Sequence, residues 1–148
     1  MKFVCLSLLI FFFADCNNAT NNKSSTGKTR ADTLMDEVMQ YHNDGMAAMS
    51  KIDDRGKKMQ LILDSLATRP VAGQNSKNYQ TRIDSALQNL KRANDAMENW
   101  MDQFNMDSFS NNLNERAKYL ESEKLKISAV KDSMINSLRV ADSLLVKK

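Results

Sequence analysis

The sequence predicts an all-α protein: an antiparallel three-helix bundle with coiled-coil-like packing, preceded by a signal peptide and a disordered tether. Apolar residues recur three and four positions apart over three long segments, which is the spacing of helices that bury one face. Four glycines and one proline among 148 residues are too few for a sheet protein with many tight turns. Ten methionines and a charged fraction of 26% suit long helices.

The N-terminus has the pattern of a secretory signal peptide. Lys2 precedes an unbroken apolar run over positions 3–14. A permanent membrane-spanning helix needs ~20 apolar residues, so this run is too short for one. A positive start followed by a short apolar run is typical of a signal peptide. We therefore predict that residues 1–15 are a signal peptide and do not belong to the fold.

Cys16 lies where the apolar run stops. Residues 13–16 resemble a bacterial lipobox, in which the cysteine is acylated and becomes the mature N-terminus. Ala14 agrees with that pattern, whereas Asp15 and the bulky Phe13 depart from it. The alternatives are an ordinary cleaved signal with an incidental cysteine, or an uncleaved anchor. We predict lipidation of Cys16, because a polar segment follows it at once.

Residues 16–31 are predicted to be the lipidated cysteine and a flexible tether. Positions 17–30 contain no large apolar side chain and are rich in Asn, Ser and Thr. Such a segment cannot bury enough surface to order itself. A lipidated Cys16 places the protein in the cell envelope. Because the tether is basic rather than acidic, we expect it on the periplasmic side of a membrane.

The first helix of the predicted domain, 32–148, spans about residues 32–68. Thr33 and Asp36 have the spacing of a capping box, which places the helix start beside them. Gly45 and Gly56 lie on its apolar face, where each weakens the helix or permits a close crossing. Pro70 disfavours helical geometry at the preceding residue, so the helix ends before it. The predicted apolar stripe consists of Met35, Val38, Met49, Ile52, Met59, Leu63 and Leu66.

The second helix, about residues 78–104, is the predicted centre of the bundle. Trp100, the single tryptophan, lies among Met97, Met101 and Phe104, where the apolar stripe is bulkiest. These four residues are predicted to anchor the core near the following connection. The alternative is that Trp100 is an exposed anchor for a partner, since tryptophan is common at interaction hot spots. The predicted stripe consists of Ile83, Leu87, Leu90, Met97, Met101 and Phe104.

The third helix spans about residues 111–146. Asn112 is a suitable N-cap with Glu115 three residues on, and Asp107 is a rival cap. Lys124 interrupts the apolar stripe, but a lysine stem can lie along an apolar face while its amine reaches water. The predicted stripe consists of Leu113, Ala117, Leu120, Ile127, Val130, Met134, Leu138, Ala141 and Leu145.

Three stretches of the domain resemble a known group of proteins. Residues 36–42, 95–104 and 119–133 are similar to small helical envelope lipoproteins of Bacteroidota genomes, which are often labelled viral A-type inclusion protein. The stretch that ends in Trp100 and Phe104 is the most specific of the three. The resemblance implies a helical fold, a lipid anchor and no agreed activity, and it carries no catalytic residues.

The sequence offers little support for catalysis, a cofactor or nucleic-acid binding. The net charge of +3 comes from interspersed signs, without the basic stripe that phosphate neutralisation needs. His42 is the only histidine and a weak metal candidate, because a site on a bundle needs several histidines or Glu-x-x-His pairs. We expect His42 to be hydrogen-bonded on the bundle seam. The methionines fall at helical spacing, which favours core packing over copper binding.

Two classes of function therefore remain. The first is a non-enzymatic lipoprotein, tethered to the membrane, that presents a helical surface to an unknown envelope protein or acts as a spacer. The second is a small ligand or metal carrier that uses His42 and methionines inside the bundle. No cofactor is expected, and the sequence leaves open whether the protein forms a homo-oligomer.

Overall fold

A computed structural model describes residues 27–68 and 74–146, and these residues form three packed helices. The helices are α1, Arg30–Thr68, α2, Gln74–Gln103, and α3, Leu113–Leu145. The described residues contain no strand. The predicted signal peptide, Cys16 and most of the tether lie outside the described residues, as do positions 69–73 of the first connection. The all-helical three-helix fold is the one predicted.

Contacts between the helices fix their directions. Gly45 of α1 lies beside Met97 of α2, and Gly56 beside Leu87, so α1 and α2 run antiparallel. On α3, Glu121 pairs with Arg30 near the start of α1, and Asp142 pairs with Arg55 farther along it. Helices α1 and α3 therefore run parallel and pack directly on each other, and α2 packs against both in the opposite direction. This arrangement gives the bundle two distinct ends.

We call these ends the loop end and the far end. The loop end holds the α2–α3 connection, residues 104–112, and the start of α1 at residues 27–30. The far end holds Leu61 and Ile62 of α1 and the last described residues of α3, Leu145 and Val146. At 1.5 Å per residue the 39-residue α1 is roughly 58 Å long, so the two ends are well separated.

The helix starts differ from those predicted. Helix α1 begins one turn before the predicted capping box, and Thr33 lies inside it. The cap is Thr29, whose hydroxyl accepts a hydrogen bond from the Asp32 amide (3.1 Å), while the Asp32 carboxylate accepts one from the Thr29 amide (2.9 Å). Two Thr-x-x-Asp pairs follow each other here, and the pair closer to the N-terminus caps the helix.

Helix α2 begins at Gln74, four positions before the predicted start at 78. Asn and Ser favour helix starts as well as loops, so the polar composition of this segment is compatible with either. Helix α3 begins at Leu113 behind its predicted N-cap, Asn112. The Asn112 side chain accepts hydrogen bonds from the backbone N–H groups of Asn114 and Glu115, each at 3.2 Å.

The core runs along the inner faces of all three helices. Its completely or almost completely buried large side chains are Val38, Met59, Ile83, Leu90, Met97, Leu120, Ile127 and Met134. The predicted stripes need correction at their ends. Leu113 is 57% exposed, and Leu144 is buried more deeply than Leu145. Leu113 is the first residue of α3 and lies at the loop end.

Candidate functional site

Aromatic side chains form a continuous stack at the loop end. The rings of Trp100 and Phe104 lie with their centroids 4.7 Å apart, and Phe104 is 6.1 Å from Tyr119 of α3. His42 of α1 lies 5.6 Å from Trp100 on the inner side of the stack, and Phe109 lies 6.0 Å from Tyr119 on the outer side. These separations are favourable for aromatic pairs. The stack therefore connects the core to the α2–α3 connection.

Trp100 is a core residue and is 7% exposed. Its indole N–H donates a hydrogen bond to the Glu123 carboxylate at 3.0 Å. The second oxygen of that carboxylate accepts a bond from Lys126 at 2.7 Å, which raises the pKa of Lys126. Glu123 is only 5% exposed, and a buried carboxylate needs such partners. Of the three residues predicted to surround Trp100, Met97 is completely buried, while Met101 and Phe104 are half-buried.

The position of Glu123 corrects the predicted third stripe. Glu123, rather than Lys124, faces the core, whereas the Lys124 amine leaves the core and pairs with Glu37 of α1 at 2.7 Å. That hydrogen bond raises the pKa of Lys124. Both positions fit a spacing of three and four residues between Leu120 and Ile127, so the spacing could not distinguish them. A buried indole N–H needs a hydrogen-bond acceptor, and this requirement could have indicated that a carboxylate such as Glu123 faces the core.

Hydrogen bonds hold the α2–α3 connection in a defined shape. The guanidinium of Arg116 donates to the backbone carbonyls of Met106 (2.9 Å) and Ser108 (3.0 Å). The Tyr119 hydroxyl accepts a bond from the Asn105 amide at 2.9 Å. Successive turns follow, with amide-to-carbonyl bonds that include Asn112 to Phe109 at 2.9 Å. Sequence reasoning did not identify Arg116 or Tyr119 as parts of the site.

Phe109 has an unusual backbone conformation. Its φ is +56°, and it is the only non-glycine residue with positive φ among the residues that the structure describes. This left-handed region is costly for a bulky L-residue and is usually occupied by Gly, Asn or Asp. The conformation leaves the Phe109 side chain 53% exposed at the surface of the loop end. Met106 and Leu113, on either side in sequence, are 53% and 57% exposed.

The start of α1 joins the loop end directly. Thr29 and Ala31 line the same groove as Leu113 and Ala117 of α3. The hydroxyl and the backbone N–H of Thr29 both donate to Asp32, and these bonds lower the pKa of the Asp32 carboxyl. The start of α1 therefore lies beside Leu113, one of the exposed apolar residues of the loop end.

His42 is placed differently from the prediction. It lies on the bundle seam, but its Nδ1 is buried and has no hydrogen-bond partner among the described residues. Its ring lies against that of Trp100, with an angle of 37° between the two ring planes. Within residues 27–68 and 74–146, no group of three or more His, Cys, Asp or Glu side chains is placed to hold a metal ion.

A second apolar surface lies at the far end. Leu61 is 68% exposed and Val146 is 81% exposed, and both line a groove of about 760 Å³ between α1 and α3. Arg55 and Asp142 form an ion pair at 2.6 Å along its edge. Exposed apolar side chains that share a groove are typical of interaction sites. The far end is therefore a second candidate surface for a partner.

None of the helices in the described part of the chain is both long enough and apolar enough to cross a membrane. No protein-family model, no curated protein and no solved structure matches the chain.

Proposed function

We propose that the chain is a lipoprotein of the cell envelope, anchored by Cys16, whose helical bundle is an interaction or spacer module without enzymatic activity. The observation that carries this proposal is the order of segments along the chain. An apolar run ends at Cys16, a polar stretch follows, and the bundle begins with the cap at Thr29. This order suits a folded module held close to a membrane on the periplasmic side.

The direction of the helices supports a role for the far end in binding. Helix α1 runs from the residues that follow the tether towards Leu61, and α3 ends beside it at Val146. In an anchored protein the far end then projects away from the membrane. A partner protein of the envelope would meet the apolar groove at Leu61 and Val146 first.

Metabolic labelling tests the anchor. The full chain is expressed in a bacterial host with an alkyne-tagged palmitate, and membrane and soluble fractions are compared. We expect a labelled protein in the membrane fraction, and loss of the label in Cys16→Ser. Cys5→Ser is the matched control, because Cys5 lies in the apolar run and is removed with it. A wild-type protein that is soluble without detergent and carries no label would refute the proposal.

The groove at the far end has its own test. Leu61→Ser removes an apolar group that is already 68% exposed, so the fold should tolerate it. We expect this variant to lose a cross-linked envelope partner that the wild-type protein captures. Leu125→Ser is the matched control, since Leu125 is equally exposed and does not line the groove. Sedimentation of both variants separates binding to another protein from self-association.

The alternative function is a small ligand or metal carrier, and the observation that favours it is the unpartnered Nδ1 of His42. Metal analysis of the purified protein tests it. Stoichiometric metal that is lost in His42→Ala would support the carrier, and metal-free protein would leave the lipoprotein proposal in place.

A further inference from the structure

We propose that the loop end of the bundle rests on a phospholipid surface, with Met106, Phe109 and Leu113 inserted between the lipid headgroups. This inference rests on the proposed anchor at Cys16. It assigns a binding role to the loop end, where the connection between α2 and α3 lies.

The first observation is the exposure of these three side chains. Each is more than half exposed, and they lie within eight consecutive residues at one end of the bundle. The loop is held firmly by Arg116 and Tyr119, so the exposure is not a consequence of a loose connection. The positive φ of Phe109 directs a large aromatic ring to the surface at a cost in backbone energy. Aromatic and aliphatic side chains of this kind bury readily at the headgroup–acyl boundary.

The second observation is where the rest of the chain joins the bundle. Thr29 shares a groove with Leu113, so the segment that leads back to Cys16 leaves from the same end as the exposed apolar residues. Eleven residue steps separate Cys16 from Gly27, and an extended chain covers at most ~3.3–3.6 Å per residue. The anchor therefore keeps the loop end within about 40 Å of the lipid surface, and the far end has no such restraint.

The third observation is the charge at this end. Asp107 is the one charged residue in positions 105–112. Three nearby cations are paired with carboxylates, Lys28 with Asp36, Arg30 with Glu121 at 2.9 Å, and Lys118 with Glu115 at 2.9 Å. A fourth, Arg116, donates to the backbone carbonyls of Met106 and Ser108. A surface with few uncompensated charges loses little solvation energy when it approaches lipid. Contact at this end is therefore expected to depend on apolar side chains more than on anionic lipids.

The test measures contact with lipid at each end of the bundle. Full-length protein is reconstituted into phosphatidylethanolamine–phosphatidylglycerol vesicles, with or without brominated acyl chains, which quench tryptophan on contact. Two variants carry a single tryptophan in a Trp100→Phe background: Leu113→Trp at the loop end and Leu61→Trp at the far end. The two sites have similar exposure, 57% and 68%, and thus form a matched pair.

We expect Leu113→Trp to lose emission in brominated vesicles and to shift its emission to shorter wavelength, while Leu61→Trp keeps both unchanged. Met106→Trp repeats the loop-end measurement if Leu113→Trp shows reduced helicity by circular dichroism. Protein that floats with the vesicles but shows no quenching at the loop end overturns this inference and leaves the anchor intact. Equal quenching at both ends also overturns it, because the bundle would then lie flat. Protein that does not float at all overturns the anchor as well.

Discussion

The two glycines of α1 offer a sharp test of the packing, because they are in the same helix and differ in their neighbours. A Cβ added at Gly45 would lie 2.1 Å from the Met97 methyl carbon, which is much closer than two such atoms can approach. The same atom at Gly56 would lie 3.7 Å from a Leu87 methyl carbon, an ordinary contact distance. Because the Met97 methyl must shift to admit the new Cβ, we expect Gly45→Ala to leave the bundle less stable than Gly56→Ala does.

The magnitudes follow from two opposing effects. Replacing glycine by alanine inside a helix stabilises it by about 1 kcal/mol. At Gly56 this gain should appear nearly in full. At Gly45 it is opposed by overpacking against the terminal methyl group of Met97, which is completely buried and must change its rotamer within the core, and such strain costs about 1–3 kcal/mol. The two variants should therefore differ in free energy of unfolding by about 1–3 kcal/mol.

Urea unfolding of a chain that begins at residue 27, followed by circular dichroism at the helix band, measures this difference. A third comparison isolates the contact. In a Met97→Ala background the opposing methyl group is absent, so Gly45→Ala should become stabilising, like Gly56→Ala. If Gly45→Ala and Gly56→Ala stabilise the wild-type bundle equally, the close approach of α1 and α2 at Gly45 is wrong.

Three further predictions concern the loop end and the start of α1. Trp100→Ala should lower the free energy of unfolding by about 3–5 kcal/mol, and an unchanged melting temperature in this variant would contradict the buried position. Trp100→Phe should lower it by about 1–3 kcal/mol, because an oxygen of Glu123 then loses its hydrogen-bond donor. Phe109→Asn should be tolerated, whereas Phe109→Val should lower the free energy of unfolding in urea by about 1–3 kcal/mol, since a β-branched residue fits positive φ poorly. Equal stability of the two variants would argue against the left-handed conformation. The pKa of Asp32 is lower in the folded state than in the unfolded state, so the stability that Asp32 contributes is present above its unfolded-state pKa and is lost as the pH falls through its folded-state pKa. Urea midpoints measured over a pH series should show this loss in the wild type and a smaller loss in Thr29→Ala.

The fold was predictable because helical spacing is a property of the sequence itself. Along α2, Ile83, Leu87, Leu90 and Met97 were predicted on one face, and all four are buried. The ends of the helices were harder to predict. Two Thr-x-x-Asp pairs lie one turn apart, and the local sequence gives no reason why Thr29 rather than Thr33 begins α1. Contacts with α3 supply that reason, since Ala31, which precedes Thr33, is buried and lines a groove together with Ala117 of α3.

The candidate site depended on contacts that spacing does not encode. Trp100 was recognised as a bulky anchor, but its hydrogen bond to Glu123 joins residues 23 positions apart on different helices. The same holds for Arg116, which on the sequence is one of many cations and in the structure holds two carbonyls of the preceding loop. Such roles arise when the chain folds back on itself, so they need the relative placement of two helices.

His42 shows how tertiary packing changes a sequence-based expectation. His42 is expected from the sequence to form a hydrogen bond on the bundle seam, but in the structure its ring packs against the ring of Trp100. Because Trp100 donates its only N–H to Glu123, it has no donor left for the imidazole. The buried Nδ1 is left without a partner among the described residues, and such an atom costs free energy. The geometry that satisfies the indole therefore leaves the imidazole unsatisfied, so a substitution that removes the polar ring, such as His42→Leu, should be better tolerated than Trp100→Leu in the same unfolding assay.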